Sequence, residues 1–157
     1  PKLDKTEGGI LTGRLSGIVN HQVPQWMRGN QVPSYETNII PDWEEKVMGI
    51  IKEIHDKDLR MISGIPPWVT MFMEQLIDYT GKNSVISIFQ NLRLFIYGGM
   101  NYEPYRQKME KLIGKSLLSL ETYPATEGFI AYQTDTNDNS LLLNTNAGVF
   151  VYLNTKT

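Results

Sequence analysis

The sequence predicts an α/β fold, because segments with helical and strand-like spacing of apolar residues alternate through its middle. Between residues 42 and 133 the order is helix, strand, helix, strand, helix and strand, with a further strand at the end. Such alternation favours right-handed crossovers onto a largely parallel sheet. The tail has polar turns between short apolar runs and predicts an antiparallel β hairpin at the C-terminal end. We therefore expect one domain over 1–157, with an irregular segment at 1–41, an alternating core at 42–133 and a hairpin at 134–157.

The three core helices are predicted from apolar spacing and from end signals. Asp42 and Glu45 have the spacing of a capping box, and an amphipathic helix follows to about His55. The second helix is predicted over 68–79 and the third over 105–113. A glycine follows the second helix and another follows the third, where a left-handed C′ residue is favoured. The C-terminal ends of these two helices are therefore defined by local signals.

The strands are short runs of aliphatic and aromatic residues bounded by glycine, proline or polar residues. We predict them at 59–65, 92–97, 117–122, 128–133, 141–143 and 149–152. The last two strands and the turn between them, 144–148, form the expected hairpin. The residues before 42 are rich in glycine and proline, which predicts irregular structure and a single strand there.

Composition excludes several classes of function. Hydrophobic residues make up 41% and charged residues 20%, the balance of a folded globular protein. The net charge is −2 with both signs scattered, so we expect no nucleic-acid partner and no membrane partner. The chain has no cysteine, which excludes disulfides, thiolate metal sites and cysteine nucleophiles. No apolar run approaches the roughly 20 residues of a membrane helix, and a cytoplasmic location is expected.

Two strand ends carry residues that suit a ligand, since open α/β sheets bind ligands at the carboxyl ends of their strands. The first is Gly98-Gly99, where two glycines let the backbone approach a flat ligand closely. A purely structural explanation is a strand-to-helix turn with Pro104 in the first helical turn. Glycine pairs are ordinary turn residues, so this segment alone favours the structural explanation.

The second strand end is a predicted turn over Tyr123–Gly128. The ring of Tyr123 can stack on a purine, and the hydroxyl of Thr126 can donate to a phosphate oxygen. The carboxylate of Glu127 suits Mg²⁺, which takes carboxylates together with substrate phosphates. A capped polar turn with a solvated glutamate is an equally good explanation. About one strand–helix–strand unit separates this turn from Gly98, so both loops should lie side by side at one sheet edge.

This pair of loops resembles the nucleotide loops of the adenylate-forming superfamily. Three longer strings are similar to the auxin-responsive acyl-acid amido synthetase family, including its bacterial members. The strings are Met61-Ile62-Ser63-Gly64-Ile65-Pro66-Pro67-Trp68-Val69, Asn91-Leu92-Arg93-Leu94-Phe95-Ile96-Tyr97-Gly98-Gly99 and Asn144-Thr145-Asn146-Ala147-Gly148-Val149-Phe150. The resemblance covers roughly residues 8–150 and implies part of the large N-terminal domain of an adenylate-forming enzyme.

The resemblance implies a ligase that uses ATP and Mg²⁺. It would adenylate a small carboxylic acid and transfer the acyl group to an amine such as an amino acid. Gly98 and Gly99 would line the adenine and Tyr123 would stack near it. Thr126 would contact the α-phosphate and Glu127 would hold the metal, which makes these two the catalytic residues.

The acyl group would bind near the start of the second core helix. The residues implied there are Trp68, Val69 and Phe72. Apolar residues at helical spacing are more often core residues than pocket residues, so a structural role is the stronger explanation for them.

The chain also departs from the superfamily pattern. Residues 8–13 lack the Ser-Gly-Thr motif and the following Lys of the superfamily's phosphate loop. The ribose-binding Asp and the C-terminal lid of the superfamily are also missing. We therefore expect the chain alone to be inactive, completed by the remainder of a parent polypeptide or by a second copy. Two alternatives stay open: an acyl-coenzyme A ligase of the same superfamily, and a non-catalytic remnant that binds a small acid or a protein.

Overall fold

A computed structural model of the chain describes residues 3–13, 23–125 and 128–146. The chain divides into two compact units, Pro1–Lys57 and Asp58–Thr157. The first core helix expected from the sequence belongs to the first unit, whereas the other core helices and the strands from residue 61 onward belong to the second.

Short elements precede a single longer helix in the first unit. They are β1 (Asp4–Lys5), β2 (Leu11–Thr12), α1 (Gln25–Arg28), α2 (Tyr35–Asn38) and α3 (Trp43–Ile54). β1 and β2 pair antiparallel. The described residues before 42 therefore contain two two-residue strands and two one-turn helices, where the sequence predicted irregular structure with one strand.

Helix α3 follows the predicted capping pattern. A side-chain oxygen of Asp42 accepts a hydrogen bond from the Glu45 backbone N–H at 2.8 Å, which satisfies one of the free donors at the helix start. Val47, Ile51 and Ile54 are buried, in agreement with the apolar face predicted from their spacing. The prediction of a helix from Asp42 to about His55 is confirmed.

The second unit alternates helices and strands as predicted. Its elements are β3 (Met61–Ser63), α4 (Pro66–Thr80), a 3₁₀ turn (Val85–Ser87), β4 (Leu94–Gly98), α5 (Glu103–Ile113), β5 (Leu118–Ala125), β6 (Gly128–Gln133) and β7 (Leu141–Leu143). The two helices end at Gly81 and Gly114, whose φ angles of +64° and +88° are left-handed. Their core side chains are Val69, Met73, Leu76, Met109 and Ile113.

The five strands of the second unit form one sheet in the order β3-β4-β5-β6-β7. β3, β4 and β5 are parallel, whereas β5, β6 and β7 are antiparallel. The α/β class is confirmed, but the sheet is mixed rather than largely parallel. The reason is connection length: only residues 126 and 127 separate β5 from β6, and a parallel crossover needs a dozen residues or more.

The predicted C-terminal hairpin is described only in part. β7 pairs antiparallel with β6, with Leu142 opposite Tyr132. The expected partner strand, 149–152, lies outside the described residues. The described hairpin therefore joins β6 to β7 through the polar turn 134–140.

The two faces of the sheet differ in exposure. On one face, Phe95 and Tyr97 of β4 are buried, and the ring of Tyr102 at the start of α5 packs on both at centroid distances of 5.2 and 5.1 Å. On the other face, Leu118 and Leu142 remain 58% and 53% exposed. The crossover helices therefore cover one face, as two right-handed crossovers in the same direction require.

No described helix has both the length and the apolar character needed to cross a lipid bilayer.

Candidate functional site

The candidate site is the edge of the sheet where the parallel strands β3, β4 and β5 end. Parallel strands present their carboxyl ends at the same edge, and this is where open α/β sheets bind ligands. Three predicted segments follow these ends or include them: the start of α4, Gly98-Gly99 and Tyr123-Pro124. The structure therefore brings the predicted segments to one edge.

Gly98 lies against β5 at a distance that only glycine allows. It is paired in register with Thr122. A β-carbon at residue 98 would lie 2.5 Å from the Thr122 carbonyl oxygen and 3.2 Å from Cδ of Pro124. Because the first of these contacts is with backbone, the neighbour cannot move aside. The close approach of the two strands therefore explains why residue 98 is a glycine, without any ligand.

Gly99 differs from Gly98 in both conformation and surroundings. Its φ angle is +74°, in the left-handed region that favours glycine. No described heavy atom lies within 4 Å of the position that a β-carbon would occupy. Gly99 is therefore the glycine of the pair whose backbone borders open space.

The segment predicted as a turn from Tyr123 onward is strand for its first three residues, so that boundary is wrong. β5 continues to Ala125, where Ala125 pairs with Gly128 of β6. The register shifts between Tyr123 and Pro124, and proline is tolerated at such an irregularity because no regular ladder hydrogen bond is required of it. Tyr123 is 51% exposed.

The two predicted catalytic residues, Thr126 and Glu127, lie outside the described residues. They form the two-residue link between β5 and β6. In the sequence they directly follow Ala125, the last residue of β5.

The predicted acyl-pocket residues have different surroundings. Trp68, in the first turn of α4, is 47% exposed. Val69 is buried, and a β-carbon at Gly64 would lie 2.7 Å from its Cγ2 atom. Phe72 is partly buried. Trp68 is therefore an exposed residue at the start of α4, whereas Val69 belongs to the core.

A cluster of Tyr97, Tyr102 and Glu121 beside these segments was not predicted from the sequence. The Tyr97 hydroxyl donates to Oε2 of Glu121 at 3.3 Å. Burial raises the pKa of Tyr97 to about 12, and the neighbouring Glu121 carboxylate adds to the shift. Tyr97 and Glu121 are opposite each other in the β4–β5 register, which the sequence does not reveal. The available signal was a tyrosine as the last residue before the glycine pair.

Arg106 anchors the other end of this cluster. Its guanidinium lies 4.5 Å from the ring centroid of Tyr102, and its Nε donates to Glu103 at 3.0 Å. Burial raises the pKa of Tyr102, while the Arg106 charge opposes the shift. The positive charge of Arg106 is therefore paired within α5 and holds the ring that packs on Phe95 and Tyr97.

Within the ranges that the structure describes, no group of three or more His, Cys, Asp or Glu side chains is arranged to hold a metal ion. The expected Mg²⁺ ligand, Glu127, lies outside those ranges. Comparison of the sequence with family models and with curated proteins gave no match. The resemblance to acyl-acid amido synthetases therefore depends on the residue strings quoted above.

Proposed function

We propose that this chain is part of an ATP-dependent ligase that adenylates a carboxylic acid and transfers the acyl group to an amine such as an amino acid. The observation that supports this best is the placement of Gly98-Gly99 beside Tyr123-Pro124, since Gly98 pairs with Thr122 in the sheet. Two segments to which the resemblance assigns nucleotide binding thus lie at the edge where parallel sheets bind ligands.

In this proposal the nucleotide base would lie between Gly99 and Tyr123. The backbone of Gly99 borders open space, and about half of the Tyr123 side chain is exposed. A planar base can lie against the bare backbone on one side and stack on the ring on the other, with a stacking contribution of about 0.5–1.5 kcal/mol beyond the buried area.

The reacting groups would lie at the link between β5 and β6. Thr126 would donate its hydroxyl to the α-phosphate, and Glu127 would hold Mg²⁺. When bound, the metal neutralises charge on the phosphoryl oxygens. The contribution of the chain is to orient the phosphate and the acid, so the proposed catalysis is mainly positioning and electrostatics.

The acid would bind beside the start of α4. Trp68 offers an exposed apolar surface at the same sheet edge, and Phe72 lies one helical turn further on. Val69 is buried, so it would support the pocket rather than touch the acid.

The proposal is tested first by nucleotide binding to the 157-residue chain. Titration of the ¹⁵N-labelled chain with ATP and Mg²⁺ should shift the amide signals of Gly99 and Tyr123 more than those of α4. Tyr123→Ala should weaken binding by about tenfold, the factor for one lost stacking contact. Tyr132→Ala is the matched control, because Tyr132 is an exposed tyrosine on the neighbouring strand β6. Equal effects of the two substitutions, or no shifts at millimolar ATP, would contradict the proposal.

The chemistry is tested in a longer ligase that contains this chain. Glu127→Ala should lower adenylation at limiting Mg²⁺, and a rate that stays within about threefold of wild type would exclude its role. Trapping the adenylate with amino acids and, separately, with coenzyme A distinguishes an amido synthetase from an acyl-coenzyme A ligase. ATP–pyrophosphate exchange by the 157-residue chain should stay at background.

A further inference from the structure

We propose that Thr122 is a positioning residue of the candidate site: its hydroxyl, together with the Glu121 carboxylate, fixes the end of β4 so that the Gly98-Gly99 loop is held beside Tyr123. This inference rests on the proposed function for its ligand, but the contacts that carry it are independent of any ligand. We call the Thr122 and Glu121 contacts to Tyr97 the Tyr97 clamp.

The first half of the Tyr97 clamp is a side-chain hydrogen bond to the main chain. Oγ1 of Thr122 donates to the Tyr97 carbonyl oxygen at 2.9 Å. This carbonyl belongs to the peptide that leads directly into Gly98. A regular parallel ladder requires no such side-chain bond, so it adds to the backbone bonds that already join β4 and β5.

The second half holds the side chain of the same tyrosine. The Tyr97 hydroxyl donates to Oε2 of Glu121 at 3.3 Å. Glu121 and Thr122 are consecutive strand residues, so their side chains leave β5 on opposite faces. Glu121 therefore holds the Tyr97 hydroxyl on one face of the sheet. Thr122, whose side chain leaves β5 on the other face, holds the Tyr97 carbonyl oxygen.

Gly98 allows the end of β4 to approach Thr122 closely. The site of an absent β-carbon at Gly98 lies 2.5 Å from the Thr122 carbonyl oxygen and 2.9 Å from Thr122 Oγ1. A side chain at residue 98 would thus meet both the main chain and the side chain of this threonine, which shows how closely the loop approaches β5. Sliding of the loop along β5 would break the hydrogen bond from Thr122 to the Tyr97 carbonyl oxygen.

The Tyr97 clamp sets the spacing between Gly99 and Tyr123, the two residues that would flank a nucleotide base. Gly99 follows the clamped residues directly, and Tyr123 follows Thr122 on β5. With the Tyr97 clamp closed, their spacing is set before a ligand arrives. A preformed spacing improves binding by removing the cost of ordering the loop.

The test uses two substitutions at one position. Thr122→Val keeps the side-chain shape and removes the donor, whereas Thr122→Ser keeps the donor. We expect Thr122→Val to weaken ATP binding about five- to tenfold, the effect of losing one hydrogen bond, and Thr122→Ser to stay within about twofold of wild type. Rescue by serine separates the role of the hydroxyl from a general packing effect.

Thr80→Val is the matched control. The Thr80 hydroxyl also donates to a backbone carbonyl oxygen, that of Leu76, at 2.8 Å, but it lies at the end of α4 away from the strand ends. Its substitution should lower stability by a similar amount and leave ATP affinity unchanged. If Thr80→Val weakens ATP binding as much as Thr122→Val, the positioning role is refuted.

A second readout needs no ligand. Amide hydrogen exchange at Tyr97, which lies inside the β4–β5 ladder, should become about five- to tenfold faster in Thr122→Val and should not change in Thr80→Val. Unchanged exchange overturns the Tyr97 clamp whether or not ATP binds. Faster exchange in a protein that binds no ATP supports the clamp and refutes the proposed function, so the two failures are distinguishable.

Discussion

Val69 fills the space that a side chain at Gly64 would need: a β-carbon at residue 64 would lie 2.7 Å from Cγ2 of Val69. Gly64 follows β3 and Val69 lies in the first turns of α4, so a side chain at residue 64 would disturb the connection from strand to helix. Val69 is buried, with 6% of its surface exposed. Val69 therefore has little room to move away from a side chain at residue 64.

Gly64→Ala should therefore destabilise the second unit by about 1–3 kcal/mol, the usual cost of overpacking a filled core. In a Val69→Ala background the same substitution should cost much less, because the shortened side chain leaves room for the new methyl group. Urea unfolding of the four proteins of this double-mutant cycle measures the coupling. If the unfolding free-energy changes of Gly64→Ala and Val69→Ala add in the double variant, Val69 is not what excludes a side chain at residue 64.

The glycine pair at the end of β4 should respond unequally to alanine. Gly99→Ala should cost about 1–2 kcal/mol, since only its left-handed backbone opposes a side chain. Gly98→Ala should cost more, because the new methyl group meets the Thr122 carbonyl oxygen. Gly29→Ala is the control, with open space and a right-handed φ of −68°. Thermal melting of the three variants tests this order, and a Gly98 variant as stable as the Gly29 variant would contradict it.

The pKa of Tyr97 predicts a loss of stability in base. Its folded value of about 12 lies above its ordinary value of 10.0, so the folded state retains the proton that the unfolded state releases. The stabilisation is full below about pH 10 and is lost as the pH rises toward 12. We expect a loss of about 1–2 kcal/mol, less than the full shift implies because solvent screens the hydroxyl.

Tyr97→Phe removes this titration. Its free energy of unfolding should fall less steeply than that of the wild type between pH 10 and 12, although it is lower at neutral pH because the bond to Glu121 is gone. Urea unfolding at several pH values gives both quantities. Parallel curves for the two proteins would refute the assignment.

In the first unit, Glu53 joins α3 to the start of α2. One carboxylate oxygen accepts from the Ser34 backbone N–H at 2.7 Å, and the other accepts from the hydroxyl of Thr37 at 2.7 Å. Burial alone would raise the pKa of Glu53, but these hydrogen bonds outweigh it and lower the pKa below 4.5. The stabilisation is therefore present above pH 4.5 and is lost as the pH falls through the lower, folded value.

Glu53→Gln should destabilise the first unit by about 1–3 kcal/mol at neutral pH, the range for hydrogen bonds to a charged group. The difference from wild type should shrink in acid, where the wild-type carboxylate is protonated. Asp56→Asn, at an exposed carboxylate just after α3, should change stability by less than about 0.5 kcal/mol. A Glu53→Gln variant that matches this control would show that the three hydrogen-bonded residues do not hold α2.

The sequence was sufficient where a structural feature is encoded locally. The cap at Asp42 and the left-handed glycines after α4 and α5 are specified by residues a few positions apart. The bounds of β6 were also predicted, since glycine and a polar turn flank its apolar run.

Features that depend on a partner strand could not be predicted. β5 extends through Pro124 because β6 folds back along it, whereas proline by itself indicated a turn. The Tyr97–Glu121 bond depends on the β4–β5 register, which is a property of two segments 24 residues apart. Within the acyl-pocket prediction, apolar spacing could not distinguish the exposed Trp68 from the buried Val69, because both lie in the same turn of α4.

The change from parallel to antiparallel pairing at β5 has a consequence for the order of folding. The hairpins β5–β6 and β6–β7 close short loops, whereas β4 reaches β5 only after the whole of α5 has been placed. Local contacts cost less loop entropy and form sooner. We expect β5, with Glu121 and Thr122 already in place, to serve as the template on which the end of β4 docks, so that the proposed nucleotide edge is among the last parts of the sheet to form.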